Sequence, residues 1–414
     1  MSAARVVVVG GGAAGLVAAH FAARAGARTV LLERTRRGGK KIVVSGGGRC
    51  NVLPSAVDPA RFVTASSPRL LRRILGSWPL PEQRAFFERD LGVPLQLEPE
   101  TGKLFPVSNR ATDVRDALVD GARAAGADLR FDTRVAGVRP LDGGGWRVEV
   151  EGAAALDADA VVLATGGLSV PNTGSDGFGL AAARALGLRV EPTYPALTPL
   201  TAQPAPHADL SGVSLVATVR APKKRSGVET TGGFLFTHRG YSGPAVLDVS
   251  HLATLSREAG GERQPVLVRW TERDADAWDE ALQAPGPGTV LADLRRALPA
   301  RLADALVEEA GVPPDRNRAD LRRDERRQLV GLLTAYALPW TGDEGYKKAE
   351  VTGGGVALSE VDAGTLEARA RPGLFVCGEL LDAFGPIGGY NFFWAWATGR
   401  LAGLGAARSC AETG

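Results

Sequence analysis

Cysteine is scarce in this sequence. The 414 residues include only Cys50, Cys377 and Cys410, which lie far apart and form no C-x-x-C pair. This spacing argues against a disulfide scaffold, a zinc site and a dithiol redox centre, so no metal is expected. Scattered, unpaired cysteines are typical of a reducing intracellular compartment.

Long apolar runs and signal-like segments are also missing. A membrane-spanning helix needs about 18 consecutive apolar residues, and the best stretch, 392–407, is interrupted by Arg400. The five residues before the apolar run Val6–Val9 leave no room for a signal peptide. We therefore expect a soluble, cytoplasmic protein without a membrane partner.

No charge of one sign dominates the composition. The chain has 49 basic and 46 acidic residues, and the resulting net charge of +3 does not by itself indicate a polyanionic partner. Glycine, by contrast, is abundant at 53 residues, nearly twice the usual share of about 7%. Runs at 10–12, 46–48 and 353–355 hold part of this excess. Such runs are typical of loops whose backbone approaches a ligand closely.

The N-terminal 33 residues predict a strand–helix–strand unit. Arg5–Val9 is a β-branched run typical of a buried parallel strand, and residues 16–25 have a helical pattern. A second buried strand follows at Thr29–Leu32 and ends at Glu33. A βαβ unit of this length is typical of an α/β domain with a parallel sheet.

The turn between the first strand and the helix carries a G-x-G-x-x-G motif. Gly10 permits the tight turn, Gly12 lets the backbone approach a pyrophosphate, and Gly15 lets the helix pack closely on the strand. The helix N-terminus stabilises the phosphate charge, and the Glu33 carboxylate accepts the ribose hydroxyls. The alternative is a glycine-rich turn with a surface glutamate. The motif alone does not distinguish NAD from FAD.

A second glycine-rich segment, Ser45–Asn51, follows the cationic stretch Gly39–Lys41. Positive charge and exposed amide donors suit the rest of a long dinucleotide, including a flavin ring that becomes anionic on reduction. The alternative for this segment is a solvated basic loop.

Three further segments lie where open α/β sheets bind ligands. Val161–Ala164 reads as a buried strand that ends in Thr165-Gly166-Gly167, and a similar strand ends in Gly378-Glu379. Gly388–Asn391 precedes an aromatic-rich helix, whose N-terminus can stabilise charge at the pyrimidine side of a flavin. Taken alone, these aromatic residues also fit an ordinary core.

Crowded prolines mark a domain boundary near residue 192. We expect residues 192–345 to form an inserted substrate-side domain, β-rich over about 192–285 and helical over about 286–345. Residues 1–191 and 346–414 then form a discontinuous nucleotide-binding domain. The predicted fold class is α/β: a Rossmann-like dinucleotide-binding domain with an inserted β-rich and helical domain.

Five strings carry a resemblance to a known family: Gly10–Gly15, Ser45–Asn51, Leu235–Pro244, Ala349–Val356 and Gly388–Asn391. Over essentially its whole length the chain resembles the BaiN/RdsA (YhiN-like) family of FAD-dependent oxidoreductases. The resemblance implies a two-dinucleotide-binding-domain type FAD fold and reduction of carbon–carbon double bonds. One branch resembles a ribosomal RNA dihydrouridine synthase, and another a bile-acid flavoprotein that acts on unsaturated steroid ketones. The chain departs from the family pattern at 52–54 and 382–387, which bears on the substrate more than on the cofactor.

The motifs and the resemblance together give one candidate site for FAD. Its expected contacts are Gly10, Gly12, Ala13, Ala14, Gly15, Glu33, Arg34, Lys41, Ser45, Gly46, Gly47, Gly48, Arg49, Cys50, Asn51, Val135, Ala164, Thr165, Gly166, Gly378, Glu379, Gly388, Gly389, Tyr390, Asn391 and Phe392.

Saturation of an activated double bond requires a hydride from flavin N5 and a proton for the neighbouring carbon. Cys50 is one candidate acid, and its alternative is a packed thiol under the flavin. His238, on the insert, is the other: it can donate a proton from across a domain cleft, or be an ordinary turn residue. Tyr241, Ser242 and Tyr390 are further hydroxyl donors. NAD(P)H must dock transiently as the reductant, because no second nucleotide-binding unit is evident.

Basic residues cluster between positions 34 and 84, where eleven lysines and arginines face only Asp58 and Glu82, a local charge of 11 − 2 = +9. A second cluster consists of Arg220, Lys223, Lys224 and Arg225. Such clusters can follow an RNA backbone, although part of the first also serves the pyrophosphate. Residues 316–327 mix arginines with acids and read as a salt-bridged helix face.

Three functions stay open on the sequence. The first is FAD-dependent reduction of a uridine in 23S ribosomal RNA or its precursor, with NAD(P)H as the donor. The second is reduction of a small unsaturated carbonyl compound such as a steroid enone. The third is a non-enzymatic flavin-binding redox sensor or interaction protein.

Overall fold

A five-stranded parallel sheet forms the centre of the first of two structural units. The computed structural model describes residues 5–222, 227–260 and 262–412. Lys223, Lys224 and Arg225 of the second basic cluster lie outside the described residues. The first unit comprises residues 1–194 and 351–414, and the second comprises residues 195–350.

The helices and strands follow one another in three consecutive stretches of the chain. The first stretch, in unit one, contains β1 (Arg5–Val9), α1 (Ala13–Arg24), β2 (Arg28–Leu32), α2 (Lys40–Val44), β3 (Leu53–Pro54), α3 (Pro68–Leu75), α4 (Leu80–Ala85), β4 (Leu95–Glu98), β5 (Lys103–Pro106), α5 (Ala111–Ala124), β6 (Asp128–Arg130), β7 (Val135–Pro140), β8 (Trp146–Val150), β9 (Leu156–Ala158), β10 (Ala160–Leu163), α6 (Phe178–Ala185) and β11 (Val190–Ala196). The next stretch contains β12 (Leu200–Thr201), β13 (Ser214–Ala221), β14 (Val228–Thr237), β15 (Gly240–Ser242), α7 (Pro244–Glu258), β16 (Leu267–Arg269), α8 (Ala275–Gln283), α9 (Val290–Ala297), α10 (Ala300–Glu309), α11 (Arg323–Thr334), β17 (Tyr336–Ala337) and β18 (Gly342–Asp343). The chain returns to unit one with β19 (Val351–Val356), β20 (Leu374–Val376) and α12 (Tyr390–Glu412).

The central sheet has the strand order β20-β10-β1-β2-β6, and all its neighbouring strands run parallel. Its middle strand is an arginine followed by four valines, of which Val6–Val8 are fully buried. β-Branched side chains suit a strand that is covered on both faces. The predicted α/β Rossmann-like fold class is therefore confirmed.

Helices α1 and α12 pack against each other beside this sheet. A Cβ added at Gly399 would lie 2.4 Å from the carbonyl oxygen of Ala14, and one at Gly403 would lie 2.3 Å from that of Ala18. Both distances are far inside van der Waals contact, so the two backbones can approach only because these residues are glycines. The predicted closing helix at 390–407 is present and continues to Glu412.

The second unit contains a seven-stranded antiparallel sheet of order β17-β16-β13-β14-β15-β12-β18. Its core is aromatic: the rings of Phe234 and Phe236 lie 5.1 Å and 5.6 Å from that of Trp270. Such pairs stabilise a core beyond the burial of their area. Helices α7 to α11 complete this unit.

Helices α7 and α8 lie in the stretch that the sequence indicated as β-rich. Most of residues 245–254 in α7 are buried. A helix that is buried on most sides has no amphipathic period, so periodicity cannot distinguish it from a strand. Within the stretch expected to be helical, α9 ends before Leu298 and α10 begins after Pro299, since Pro299 favours extended backbone at Leu298. Among the residues that the structure describes, no helix is both long and apolar enough to cross a membrane.

Candidate functional site

The glycine turn between β1 and α1 leaves part of its backbone open. A Cβ added at Gly15 would lie 1.8 Å from the carbonyl oxygen of Gly10, and one at Gly10 would lie 2.6 Å from that of Ala164. At Gly12 a Cβ would meet no heavy atom within 4 Å. Gly12 is also the N-cap of α1, and its first turn receives no side-chain cap. Packing therefore requires Gly10 and Gly15, whereas Gly12 and the first-turn amides are open to an anion.

The carboxylate of Glu33 stabilises this turn through hydrogen bonds. It follows β2 and is largely buried. Its Oε2 accepts a hydrogen bond from the backbone N–H of Gly11 at 2.6 Å, and its Oε1 accepts one from that of Thr35 at 2.7 Å. Each carboxylate oxygen can accept a second hydrogen bond. A ribose hydroxyl can therefore still bind to Glu33, and that role stays a prediction.

Two other predicted contacts lie near the end of β2. Arg34 is exposed and forms an ion pair with Asp176. Val135 begins β7 and is buried, and two residues before it the backbone N–H of Thr133 donates to the carbonyl of Glu33 at 2.9 Å. The structure thus brings Arg34 and Val135 to the same edge as Glu33.

The carboxyl ends of β1, β10 and β20 lie side by side, so the segments that follow these strands share one edge of the sheet. Residues 164–166 follow β10, and Gly378 and Glu379 follow β20. A Cβ at Gly378 would lie 2.8 Å from the Cβ of Ala14, in the first turn of α1. Segments that are far apart in the sequence therefore meet at the N-terminus of α1.

An ion pair and two hydroxyl groups meet at this edge. The Lys41 ammonium donates to the carboxylate of Glu379 and to Oγ of Ser169, whose hydroxyl in turn donates to Glu379. Thr352 donates to Oε1 of Glu379 from its backbone N–H at 3.0 Å and from its hydroxyl at 2.9 Å. Sequence reasoning found Lys41 and Glu379 but missed Ser169 and Thr352. Thr352 lies within the family string 349–356, whereas no sequence signal marks Ser169.

The segment Ser45–Gly48 forms a tight turn with an exposed glycine backbone. Gly46, Gly47 and Gly48 have φ values of 54°, 66° and 87°, in the left-handed region that glycine adopts without steric cost. Arg49, by contrast, lies over the Phe105 ring at 4.1 Å and donates to Oε1 of Glu98 at 3.0 Å. This loop therefore offers a ligand its backbone more than the charge of Arg49.

Cys50 follows this turn and is fully buried. Burial raises the pKa of its thiol to about 12. A group with no exposed surface cannot touch a substrate, and a thiol with so high a pKa is a poor proton donor near neutral pH. The geometry therefore favours the packed-thiol alternative for Cys50 over the catalytic role.

Asn51 connects this loop to the start of α12. With its amide oriented so that both groups are satisfied, it donates to the carbonyl of Leu53 at 3.2 Å and accepts from the backbone N–H of Gly389 at 2.9 Å. The side chain of Asn391 accepts from the N–H of Gly385 and donates to its carbonyl, both at 2.9 Å. A hydrogen bond thus joins the two glycine-rich segments predicted to contact the flavin.

Aromatic side chains in the first turns of α12 pack in pairs. Tyr390 is largely buried, and its hydroxyl accepts a hydrogen bond from Arg61 at 3.2 Å. Phe392 is half-buried and stacks on Trp396 with ring centroids 5.2 Å apart and planes 8° apart. These contacts favour the core alternative for the aromatic cluster, and the flavin contacts expected of Tyr390 and Phe392 stay predictions.

The proton donors suggested in the second unit have different surroundings. His238 lies in the turn between β14 and β15 and is exposed, and its catalytic role stays a prediction. Tyr241 is fully buried, and its hydroxyl bonds to Nδ1 of His207 at 2.8 Å. Nε2 of His207 bonds at 3.0 Å to the hydroxyl of Tyr336, which donates to Glu309. Burial raises the pKa of Tyr241 and lowers that of His207. The geometry therefore favours a core role for Tyr241 over donation of a proton to a substrate.

The residues at the sheet edge fit a flavin dinucleotide. The bare N-terminus of α1 and the open side of Gly12 suit a pyrophosphate. The exposed backbone of 46–48 offers polar groups for the distal half of the nucleotide. Open backbone, amide donors and one cation, Lys41, are the donor set that such a ligand requires.

Comparison with known proteins identifies the family. The model of the family described as "HI0933-like protein Rossmann domain" matches residues 4–405. The chain belongs to this family. The predicted membership of the BaiN/RdsA-like FAD-dependent oxidoreductases is thereby confirmed, and the chain is an enzyme of this oxidoreductase class.

Two relatives in this family align with most of the chain. The ribosomal RNA dihydrouridine synthase of Escherichia coli is 33% identical over 354 residues, 85% of each protein. The 3-dehydro-bile acid delta(4,6)-reductase of Clostridium scindens is 33% identical over 365 residues, 87% of this chain and 88% of that protein. Among solved structures, Escherichia coli quinol fumarate reductase FrdA superposes with a TM-score of 0.51 at 16% identity, covering 99% of this chain and 71% of that chain. This last similarity concerns the fold alone.

Proposed function

We propose that this protein is an FAD-dependent reductase of an activated carbon–carbon double bond, and that its substrate is the C5=C6 bond of a uridine in 23S ribosomal RNA, with NAD(P)H as the donor. The reaction class rests on one observation. Two relatives with the same identity to this chain, one named a dihydrouridine synthase and the other a delta(4,6)-reductase, both carry names that describe saturation of a double bond.

Bound FAD, when reduced, supplies the hydride for one carbon of the double bond. The chain's own residues hold the dinucleotide. The amides at the start of α1 bind the pyrophosphate, with Gly12 leaving room for it, and Glu33 accepts from the ribose. Lys41 supplies positive charge at the edge where β10 and β20 end, held in place by its ion pair with Glu379.

The proton for the neighbouring carbon must come from another group. Because Cys50 is fully buried, it does not serve, and His238 is the remaining donor of the two that the sequence suggested. His238 is exposed, and an imidazole side chain can act as a general acid. We assign it the role of general acid within this proposal.

Local charge supports RNA over a small molecule. Residues 34–84 carry a charge of 11 − 2 = +9, whereas a neutral steroid needs no such surface. The cations that FAD and ion pairs use account for only part of this excess, since Arg34, Lys41, Arg49 and Arg84 have acidic partners.

Mass spectrometry of ribosomal RNA tests the substrate. RNA from cells that lack this protein should lose one dihydrouridine, and purified protein with NAD(P)H should restore it in that RNA. A Gly12→Ala variant, which is expected to bind FAD more weakly, serves as the matched control at an FAD concentration that saturates only the wild type. An unchanged dihydrouridine content in the deletion strain would contradict the RNA substrate.

Reduction of a small enone is the second candidate, because the bile-acid reductase is as similar to this chain as the RNA enzyme is. It predicts that a steroid enone, added without RNA, reoxidises the anaerobically reduced protein. The same reduced protein offered ribosomal RNA should then stay reduced.

A further inference from the structure

We propose that three arginines on one side of α3, Arg69, Arg72 and Arg73, bind the phosphates of the RNA strand that carries the target uridine. We call these three side chains the arginine face. This inference rests on the proposed function and adds to it the surface by which the RNA is held.

The arginine face is exposed and carries unbalanced charge. All three side chains are exposed, whereas Leu71 and Ile74 on the other side of α3 are buried. Helix α3 contains no acidic residue. Within the described part of the chain, none of the three arginines forms an ion pair within 4 Å; the Asp362 carboxylate lies near the Arg73 guanidinium, on the other side of Gly364, and pairs with Arg369 at 3.5 Å. Three cations this close together repel one another and lower the stability of the helix, and a bound anion removes this repulsion.

Helix α11 is also rich in arginine and provides the contrast. There Arg322 pairs with Glu325 at 2.8 Å, and Arg326 pairs with Asp279 at 2.8 Å. The expectation that residues 316–327 form a salt-bridged face agrees with these contacts. Arginine density alone therefore does not mark a phosphate site in this protein. Helix α3 contains no acidic residue, whereas α11 contains Asp324 and Glu325, and this difference distinguishes the two helices.

The segment before α3 is hydrogen-bonded to residues 382–384, which belong to the stretch 382–387 whose departure from the family pattern bears on the substrate. Val63 and Phe384 exchange backbone hydrogen bonds at 2.8 Å and 3.1 Å. The Asp382 carboxylate accepts from the backbone N–H of Ala65 at 2.9 Å and from the hydroxyl of Thr64 at 3.1 Å. The start of α3 is therefore fixed relative to this stretch.

Ser66 and Ser67, the next two residues, also form hydrogen bonds that fix the start of α3. Ser66 accepts a hydrogen bond from the backbone N–H of Leu358 at 2.9 Å, and Ser67 caps α3 by accepting from that of Arg69 at 3.3 Å. The four Cα-to-Cα steps from Ala65 to Arg69 span at most about 14 Å. The arginine face thus lies close to the residues that Asp382 anchors.

The chemistry of the arginine face favours RNA. Guanidinium groups bind phosphate oxygens with paired, charge-assisted hydrogen bonds. An enzyme that acts on a base takes the base out of its stack and must hold the backbone beside it. A membrane surface is the other polyanion to consider, but Leu71, Ile74 and Leu75 of α3 are buried in the protein and cannot insert into lipid.

The test uses the full-length, FAD-loaded protein and a triple variant, Arg69→Ala/Arg72→Ala/Arg73→Ala. The matched control, Arg184→Ala/Arg323→Ala/Arg327→Ala, removes the same charge from exposed positions on α6 and α11. Binding of a fluorescent single-stranded, uridine-rich RNA is measured between 50 and 300 mM salt. Flavin absorbance and melting temperature report whether each variant is folded and loaded.

We expect the triple variant to bind RNA at least tenfold more weakly than wild type at 100 mM salt. The slope of log K against log salt should fall by about 2, because each phosphate contact on a single strand contributes about 0.7. The control should keep the wild-type affinity and slope. Both variants should retain FAD.

Other outcomes overturn the assignment in distinguishable ways. If wild type forms dihydrouridine in RNA and the triple variant binds RNA equally well, the arginine face is not the phosphate site although the proposed function stands. If wild type neither binds nor modifies RNA, both proposals fail. Loss of binding to phosphatidylglycerol vesicles, with RNA binding intact, would instead assign the arginine face to a membrane surface.

Discussion

Substitution of Gly12 by alanine tests whether this residue contacts FAD rather than other atoms of the protein. The residue has φ −80° and ψ −166°, which alanine adopts without strain, and the new methyl would meet no protein atom within 4 Å. Alanine is a poorer N-cap than glycine by about 0.5–1 kcal/mol. It also reduces the entropy of the unfolded chain, which stabilises the fold by about 0.4–1 kcal/mol. The apoprotein should therefore keep the wild-type stability to within about 0.5 kcal/mol.

The expected loss appears only when FAD binds. If a pyrophosphate lies against the backbone at Gly12, the added methyl must displace it, and a steric conflict of this kind costs about 1–3 kcal/mol. That range corresponds to an affinity loss of about 5- to 150-fold.

Gly15→Ala is the comparison variant. Its methyl would lie 1.8 Å from the carbonyl oxygen of Gly10, so the clash is within the protein itself. It should lower the apoprotein's unfolding free energy by about 1–3 kcal/mol as well as its FAD affinity. At about 2–4 °C per kcal/mol for a unit of this size, the melting temperature should fall by several degrees.

Two measurements on each apoprotein decide the matter: titration with FAD followed by flavin fluorescence, and thermal unfolding without ligand. Gly12→Ala should change only the first, and Gly15→Ala should change both. A Gly12→Ala protein that binds FAD with wild-type affinity would refute the placement of the pyrophosphate at this turn.

Three further predictions concern single side chains. Cys50→Ala should keep turnover within a few-fold of wild type, and the native thiol, with its pKa near 12, should resist iodoacetamide at pH 8; rapid labelling would show it to be accessible. His238→Gln should lower turnover by about 100-fold or more if His238 is the general acid, as measured by single-turnover reoxidation, whereas wild-type rates would remove it from the mechanism. Burial raises the pKa of Asp382 in the folded protein above its ordinary value, which it keeps in the unfolded chain. The Asp382 carboxyl therefore contributes fully to stability below the unfolded-state pKa. This contribution is lost as pH rises through the folded-state pKa. Asp382→Asn should therefore gain stability relative to wild type as pH rises above about 4 in urea unfolding, and a constant difference would contradict this.

Local composition was sufficient to predict the nucleotide-binding half of the fold. A strand of consecutive valines, Val6–Val9, can lie only in the interior of a sheet, and the glycines after it can serve only a tight turn. The steric measurements at Gly10 and Gly15 show why these positions exclude a side chain. The strand and the turn depend on residues that are neighbours in the sequence, so both could be predicted from the sequence alone.

The polar contacts between remote segments could not be predicted in the same way. Lys41 and Glu379 are 338 positions apart, and Ser169 joins them although its neighbours in sequence have no motif. No local sequence pattern indicates such a contact, because the topology of the sheet brings these residues together. The environment of Cys50 was hidden for a similar reason, since the burial of its thiol depends on the packing of the whole first unit.

The interrupted arrangement of the first unit has a consequence for its synthesis. Strand β20, at the edge of the central sheet, and helix α12, packed against α1, both come from residues after 350. While the nascent chain leaves the ribosome, the open edge of β10 therefore has no neighbour until β20 (Leu374–Val376) emerges. Residues 195–350 are contiguous and can mature earlier. Vectorial synthesis thus favours completion of the inserted unit before the nucleotide-binding one.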